Sequence, residues 1–172
     1  AVKNQNLHAI KNADMLIVAH PDFIDEAHAL ASVHYNDDGL NSVVVDINEI
    51  YNEFGSGQQD VTAIRDFVRM VYAKSEGQLS NLLLFGDGSY DYKNRIANNT
   101  NFVPTYQASV SLVETQSFVS DDYFGLLDHN EGADMFGILD IGIGRFPVSN
   151  KTDAQAMVNK VEQYLADSYE KS

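Results

Sequence analysis

Apolar residues fall in short unbroken runs, separated by stretches in which they recur at helical spacing. Met15-Leu16-Ile17-Val18-Ala19, bounded by Asp14 and His20-Pro21, predicts a strand buried on both faces. Val43-Val44-Val45 and Leu82-Leu83-Leu84-Phe85 predict two more, and the mostly apolar stretch Ile138 to Phe146 predicts a fourth. Asp22 offers an N-cap, with Asp25 close to the positive helix end, and Ala27, Leu30, Ala31, His34 and Tyr35 continue at helical spacing to a stop at Gly39. Ser56 and Gln59 resemble a capping box ahead of Val61, Ile64, Val68 and Val71, a helix running to about Lys74 and ended by Gly77. Asn150 with Asp153 opens a last helix carrying Ala154, Met157, Val158, Val161 and Leu165 on one face. Between the third and fourth strands, Ser89 to Asn101 reads as a polar loop, Phe102 to Ser120 as a short strand or hairpin, and Asp128 to Gly132 as a turn.

Strands alternating with helices predict an α/β fold: one domain over residues 1–172, with a mainly parallel sheet of about four strands flanked by helices. No repeat, low-complexity tract or internal linker interrupts it. The pattern stops after a crossover helix, so a further strand is expected, and the chain reads as the first part of a longer domain.

Charge narrows the partners. Twenty-five acids against eleven bases give a formal net charge of −14. Phosphate backbones and anionic membranes are repelled, which argues against nucleic acid. No apolar run approaches the ~20 residues that span a bilayer. The opening, Ala1 to Asn12, is polar and carries no visible signal peptide, as in a processed or excised piece. With no cysteine, disulfides, cysteine-based zinc sites and a cysteine nucleophile are excluded within these residues.

In open parallel sheets, ligands gather beyond the carboxyl ends of the strands. Those ends carry His20, Asp46 and Gly86-Asp87-Gly88. The glycines let backbone approach a ligand, and Asp87 could bind a cation or take a proton; a tight turn capped by Asp87 explains the same residues. His20, before Pro21, reads first as a hydrogen-bonded edge residue. Gly86-x-Gly88 lacks the third glycine of a dinucleotide fingerprint, no phosphate loop exists, and Ser89 is not in a nucleophile elbow. His8, His28, His34 and His129 lack metal-ligand spacing. Asp128-x-Asn130-x-Gly132-x-Asp134 alternates oxygen ligands in a flexible turn, as calcium prefers, with Asp121-Asp122 adding negative charge; an ordinary acidic surface turn fits equally. Tyr90, Tyr92, Tyr106, Tyr123 and Phe124 lie in or near the long loops, where they line a peptide surface or pack back onto the sheet.

Several longer segments are more specific: Tyr51 to Phe67, Leu82 to Arg95, Val103-Pro104-Thr105-Tyr106-Gln107, Ser120 to Gly125, and Ile143-Gly144-Arg145-Phe146-Pro147-Val148. Together they resemble the gingipain-type cysteine peptidases, peptidase family C25, over most of the chain from about Asp14 to Leu165. The resemblance implies a caspase-like catalytic domain of two subdomains, of which this chain is similar to the first. Its catalytic histidine, in a Gly-His-Gly segment, and its later cysteine have no counterpart here, so no catalytic residue is carried over. The chain alone is expected to be inactive within a parent that cleaves peptide bonds through a cysteine thiolate. The resemblance further implies a sortase of the type IX secretion system, removing C-terminal signals from cargo on the extracellular side of the outer membrane. Implied partners are the remaining catalytic subdomain and a protein or peptide substrate. Calcium in the family implies Asp128 and Asp140 as ligands; Asp134 follows from spacing alone. His20, Gly86, Asp87 and Gly88 are the candidates for a substrate-cleft border. Two alternatives stay open: a receiver-like or flavodoxin-like binding module, and a catalytically inactive cell-surface interaction domain.

Overall fold

The computed structural model describes residues 4–110 and 112–169; the two ends of the expected domain, residues 1–3 and 170–172, lie outside the described residues. The first apolar run forms strand β1, Met15–Ala19, and the next two form β2, Ser42–Asp46, and β3, Asn81–Phe85. Helix α1, Ile24–Asp38, joins β1 to β2; helices α2, Ile47–Phe54, and α3, Val61–Lys74, join β2 to β3. A long excursion, residues 86–141, holds the short strands β4, Tyr106–Gln107, and β5, Val119–Ser120, before the chain returns as β6, Gly142–Phe146. Helix α4, Lys151–Tyr169, follows.

Four parallel strands make the main sheet in the order β2-β1-β3-β6, while β4 and β5 form a separate antiparallel pair. Ile17 lies opposite Val44 on one side and Leu83 on the other. Strand β1 is buried throughout because the sheet is covered on both faces. Leu16, Val18, Leu82 and Leu84 pack with α2 and α3; Ile17, Ala19, Leu83 and Phe85 pack with α1 and α4. Chain direction explains the split. The step from β1 to β2 goes one way and the step from β2 to β3 goes back across β1, so right-handed crossovers place their helices on opposite faces. Each fully buried branched side chain in these layers contributes about 1.5–3 kcal/mol relative to exposure.

Several local expectations need correction. Helix α2 was not expected. Asp46 ends β2 and at once caps α2, its side chain accepting from the Asn48 amide at 2.8 Å, so no loop marks the boundary. Helix α3 is capped by Asp60, not by Ser56 with Gln59: the Asp60 carboxylate accepts from Thr62 N at 2.8 Å, and Ser56 sits in a left-handed turn at φ 54°. His20, not Asp22, caps the 3-10 turn Pro21–Phe23 that precedes α1. The fourth strand begins at Gly142, and Ile138 is 81% exposed. The backbone before β6 is held elsewhere: Ile138 N donates to Glu131 Oε1 at 3.0 Å and Asp140 N to Gly125 O at 3.0 Å.

Candidate functional site

The direction of connection reverses between β1, which leads toward β2, and β3, which leads toward β6. This places a switch point at the carboxyl ends of β1 and β3. His20 and Gly86-Asp87-Gly88 occupy it together. His20 N donates to Phe85 O at 3.2 Å, Gly86 N to Phe146 O at 3.0 Å and Asp87 N to Val148 O at 2.9 Å.

The side chains there are already engaged. The His20 Nδ1 accepts from the Asp22 amide at 3.3 Å, and its ring packs edge-on against Phe102, centroids 4.8 Å apart. Burial lowers its pKa below the ordinary histidine value, against the opposing pull of Asp22 and Asp46. The imidazole is neutral at physiological pH and serves as a cap. Asp87 Oδ2 accepts from Thr100 Oγ1 at 2.6 Å and Oδ1 from Gly88 N at 3.0 Å; its carbonyl accepts the Phe102 and Val103 amides. Gly86 has φ 146°, and a Cβ there would stand 3.0 Å from Phe102 Cβ, so the turn requires glycine.

The organising residue of this edge is one that sequence reasoning quoted without a role. Arg145, on β6, uses all five of its N–H groups. Nε and Nη2 fork onto the two Asp121 oxygens at 2.7 Å each. Nη1 donates to Gly86 O and Val103 O at 2.7 Å each, and Nη2 also to Pro104 O at 3.4 Å. A base set in an apolar strand, with an acid pair earlier in the chain, was the available signal. Asp121 had been assigned only as added negative charge. Arg65 on α3 is a second clamp. It is buried, donates to Leu126 O at 2.6 Å and to Glu131 O at 2.8 Å, and lies 5.5 Å from the Tyr123 ring centroid.

The candidate calcium ligands Asp128, Asp134 and Asp140 all lie in the excursion just before β6. Asp140 Oδ2 accepts from Leu127 N at 2.8 Å. Asp128 meets Arg65 through its carbonyl at 3.4 Å, and Asp134 sits in a turn at φ 52°. Among the described residues, no group of three His, Cys, Asp or Glu could hold a metal ion.

A groove of about 470 Å³ lies near the same edge of the sheet. Gln59, Asp60 and Val61 at the start of α3 form one wall, and Pro104 to Ser109 with Tyr92 form the other. Gln59 Nε2 bridges to Tyr92 O at 3.2 Å, and Gln107 Nε2 donates to Tyr90 O at 2.9 Å. Tyr106 stacks on Tyr123 at 4.6 Å; burial first, then Asp134 and Tyr123, raise its hydroxyl pKa above the ordinary tyrosine value, so it stays protonated. Tyr92 and Tyr106 are among the tyrosines that the sequence offers as lining a peptide surface or packing back onto the sheet; the opposite wall, at the start of α3, carries no such signal. The groove's amides, hydroxyls and single carboxylate offer hydrogen-bonding groups to a ligand.

Fold and edge thus define a parallel α/β domain whose switch point is structurally complete and carries no cysteine. The model for peptidase family C25 matches residues 8–172, and the chain belongs to that family. It is similar to dimeric latent PorU from Porphyromonas gingivalis at 34% identity and a TM-score of 0.80, covering 92% of this chain and 16% of that one. The complex of Porphyromonas gingivalis RgpB pro- and mature domains shares the fold at 19% identity and a TM-score of 0.62, covering 87% of this chain and 28% of that one. The Arg-specific cysteine proteinase gingipain R (RgpB) does so at 18% and 0.60, covering 91% and 29%. No curated protein matches the chain. The chain spans less than a third of each of these solved chains. No described helix is long and apolar enough to cross a membrane.

Proposed function

We propose that this chain is the N-terminal, non-catalytic subdomain of the catalytic domain of a C25 cysteine endopeptidase. In this reading the parent is a type IX secretion sortase that removes C-terminal signals from cargo on the extracellular side of the outer membrane. The likeness to PorU, at 34% identity over 92% of the chain, carries it. A thiolate attacking the peptide carbonyl, with a histidine base, would come from the rest of the parent. The switch-point edge, closed by Asp87 and braced by Arg145, would border the cleft as a rigid wall.

The test is cleavage of a cargo protein bearing a C-terminal signal by the parent polypeptide, beside the isolated chain. The parent should remove the signal in a thiol-sensitive way, and the chain should give neither turnover nor labelling by a thiol-directed probe. A parent inert to that probe would overturn the peptidase assignment. One that hydrolyses peptides but leaves cargo signals intact would overturn the sortase assignment. Calcium belongs to the same reading through Asp128, Asp134 and Asp140. A melting temperature several degrees higher in millimolar calcium than in EDTA supports it, since a ligand at 100 times its Kd stabilises by about 2.7 kcal/mol; identical melts remove it.

The strand order also suits a flavodoxin-like binding module. Its strand β1 runs into His20-Pro21 rather than an acid pair. Intact mass after incubation with acetyl phosphate and magnesium separates the two, a phospho-adduct favouring the module.

A further inference from the structure

Strand β4 has one paired edge and one open edge. Tyr106 lies opposite Ser120, and Ala108 N donates to Phe118 O at 3.0 Å, so these two residues direct their backbone groups toward β5. In an antiparallel pair the intervening residue turns its groups the other way. Gln107 therefore presents its N–H and C=O on the far edge, and the same alternation turns Thr105 and Ser109 outward. Among the described residues, the amides and carbonyls of these three make no hydrogen bond. All three line the groove between β4 and the start of α3. Natural edge strands are commonly guarded by charge, yet no residue from Pro104 to Val113 is charged. The edge is also held in place. Arg145 fixes the Val103 and Pro104 carbonyls just before it, and Gln107 Nε2 is fastened to Tyr90 O. An incoming strand meets backbone that is already ordered.

The side chains select the charge of that strand. Among the described residues, Asp60 alone is charged in the lining of the groove. One Asp60 oxygen takes the Thr62 amide at 2.8 Å, and the other makes no hydrogen bond among the described residues. Asp60 stands at the N-terminal end of α3, so an anion would meet a carboxylate where the helix would otherwise attract it. Lys93 lies over the Tyr92 ring at 5.4 Å and is not part of the lining. Tyr92 and Tyr106 offer ring surface to the methylene stem of a long basic side chain. The net charge of −14 favours the approach of cations. We propose that β4 is a docking edge for an extended peptide segment of another protein, which pairs with Gln107 as an added strand and sets a lysine or arginine against Asp60. Backbone bonds supply the affinity of such a site, and the side-chain contact its specificity. Binding of this kind needs no cysteine and is independent of the C25 assignment.

The test uses the parent polypeptide with its thiols alkylated, so that no peptide is consumed. The probes are fluorescent peptides of about six residues, a typical strand length, alternating threonine and valine around a central lysine, norleucine or glutamate. The lysine peptide should bind at least about fivefold more tightly than the norleucine peptide, and the glutamate peptide more weakly still. Asp60→Asn keeps a capping side chain, so it should leave the melting temperature unchanged while removing the preference for lysine. N-methylation of the peptide amides on one side of the strand should weaken binding at least about tenfold, and on the other side should not. Exchange of the Gln107 amide should slow when the lysine peptide binds. Failure of all three peptides to bind, equal affinity for the three, or a lysine preference that survives Asp60→Asn would overturn the proposal. So would binding indifferent to N-methylation on both sides. Protection of Gln107 that rises with protein concentration and is not displaced by the lysine peptide would overturn it in favour of a second copy.

Discussion

The sheet and the excursion between β3 and β6 are stabilised in different currencies. In the sheet, Ile17, Leu16 and Phe85 are buried among other apolar side chains, and no single contact decides the outcome. In the excursion, a few polar groups hold long segments of backbone: Arg145 binds residues 86, 103, 104 and 121, and Arg65 binds 126, 128 and 131. Dispersed apolar packing tolerates a change of shape at similar volume. A clamp does not, because its removal leaves carbonyls and a carboxylate unpaired.

The largest effect should therefore come from the excursion. Arg145→Ala removes the partner of a mostly buried Asp121, with side-chain exposures of 13% and 24%, and should cost about 3–5 kcal/mol in urea melts. Arg145→Lys keeps the charge but not the fork, and should recover only a minor part of the loss. A cost below about 1 kcal/mol for Arg145→Ala would erase the contrast, being no more than an exposed pair contributes. In the sheet, Ile17→Val should cost about 1 kcal/mol despite complete burial. Asp60→Ala, which uncaps α3 at an exposed position, should cost about 0.5–1 kcal/mol and sharpen the scale at its lower end.

The smallest effect is local and depends on pH. Glu53 on α2 receives the Leu7 amide, the Gln5 side chain and His8, whose ring stacks on Phe54 at 4.8 Å. Burial pushes the Glu53 carboxyl up, but these donors outweigh it and hold its pKa below the ordinary glutamate value. Its contribution is complete above the unfolded-state pKa and is lost as pH falls through the lower folded-state pKa. Amide exchange at Leu7 should accelerate in that acidic window before the strand amides do. Glu53→Gln should remove the pH dependence; an unchanged profile would assign it to another group.

Strands β1 and β3 were legible because burial on two faces produces continuous apolar runs. The edge strand β2 carries the same apolar run although only Val45 is fully buried. Two of the long helices were bounded by Gly39 and Gly77, which adopt the left-handed turns expected of them. Helix α2 was not legible, since Asp46 closes one element and opens the next with no intervening loop. Ile138 and Leu139 misled because an apolar pair beside a strand resembles its beginning. The backbone there is committed instead to Glu131, through Ile138 N, and to Gly125, through Asp140 N, partners outside the local apolar pattern. The edge candidates His20 and Gly86 to Gly88 were placed correctly at the ends of strands. What braces them was hidden for the same reason: Arg145 is 59 residues from Gly86.

That separation also sets an order of events during synthesis. The excursion emerges from the ribosome before its clamp, and Gly86, Val103 and Asp121 stay unfastened until β6 follows. Until then the Arg145 staples do not exist, and the apolar side chains of the segment are open to proteases and to neighbouring chains. Closure over so long a loop precedes its reward, which makes docking of β6 against β3 the step that commits the domain to its fold.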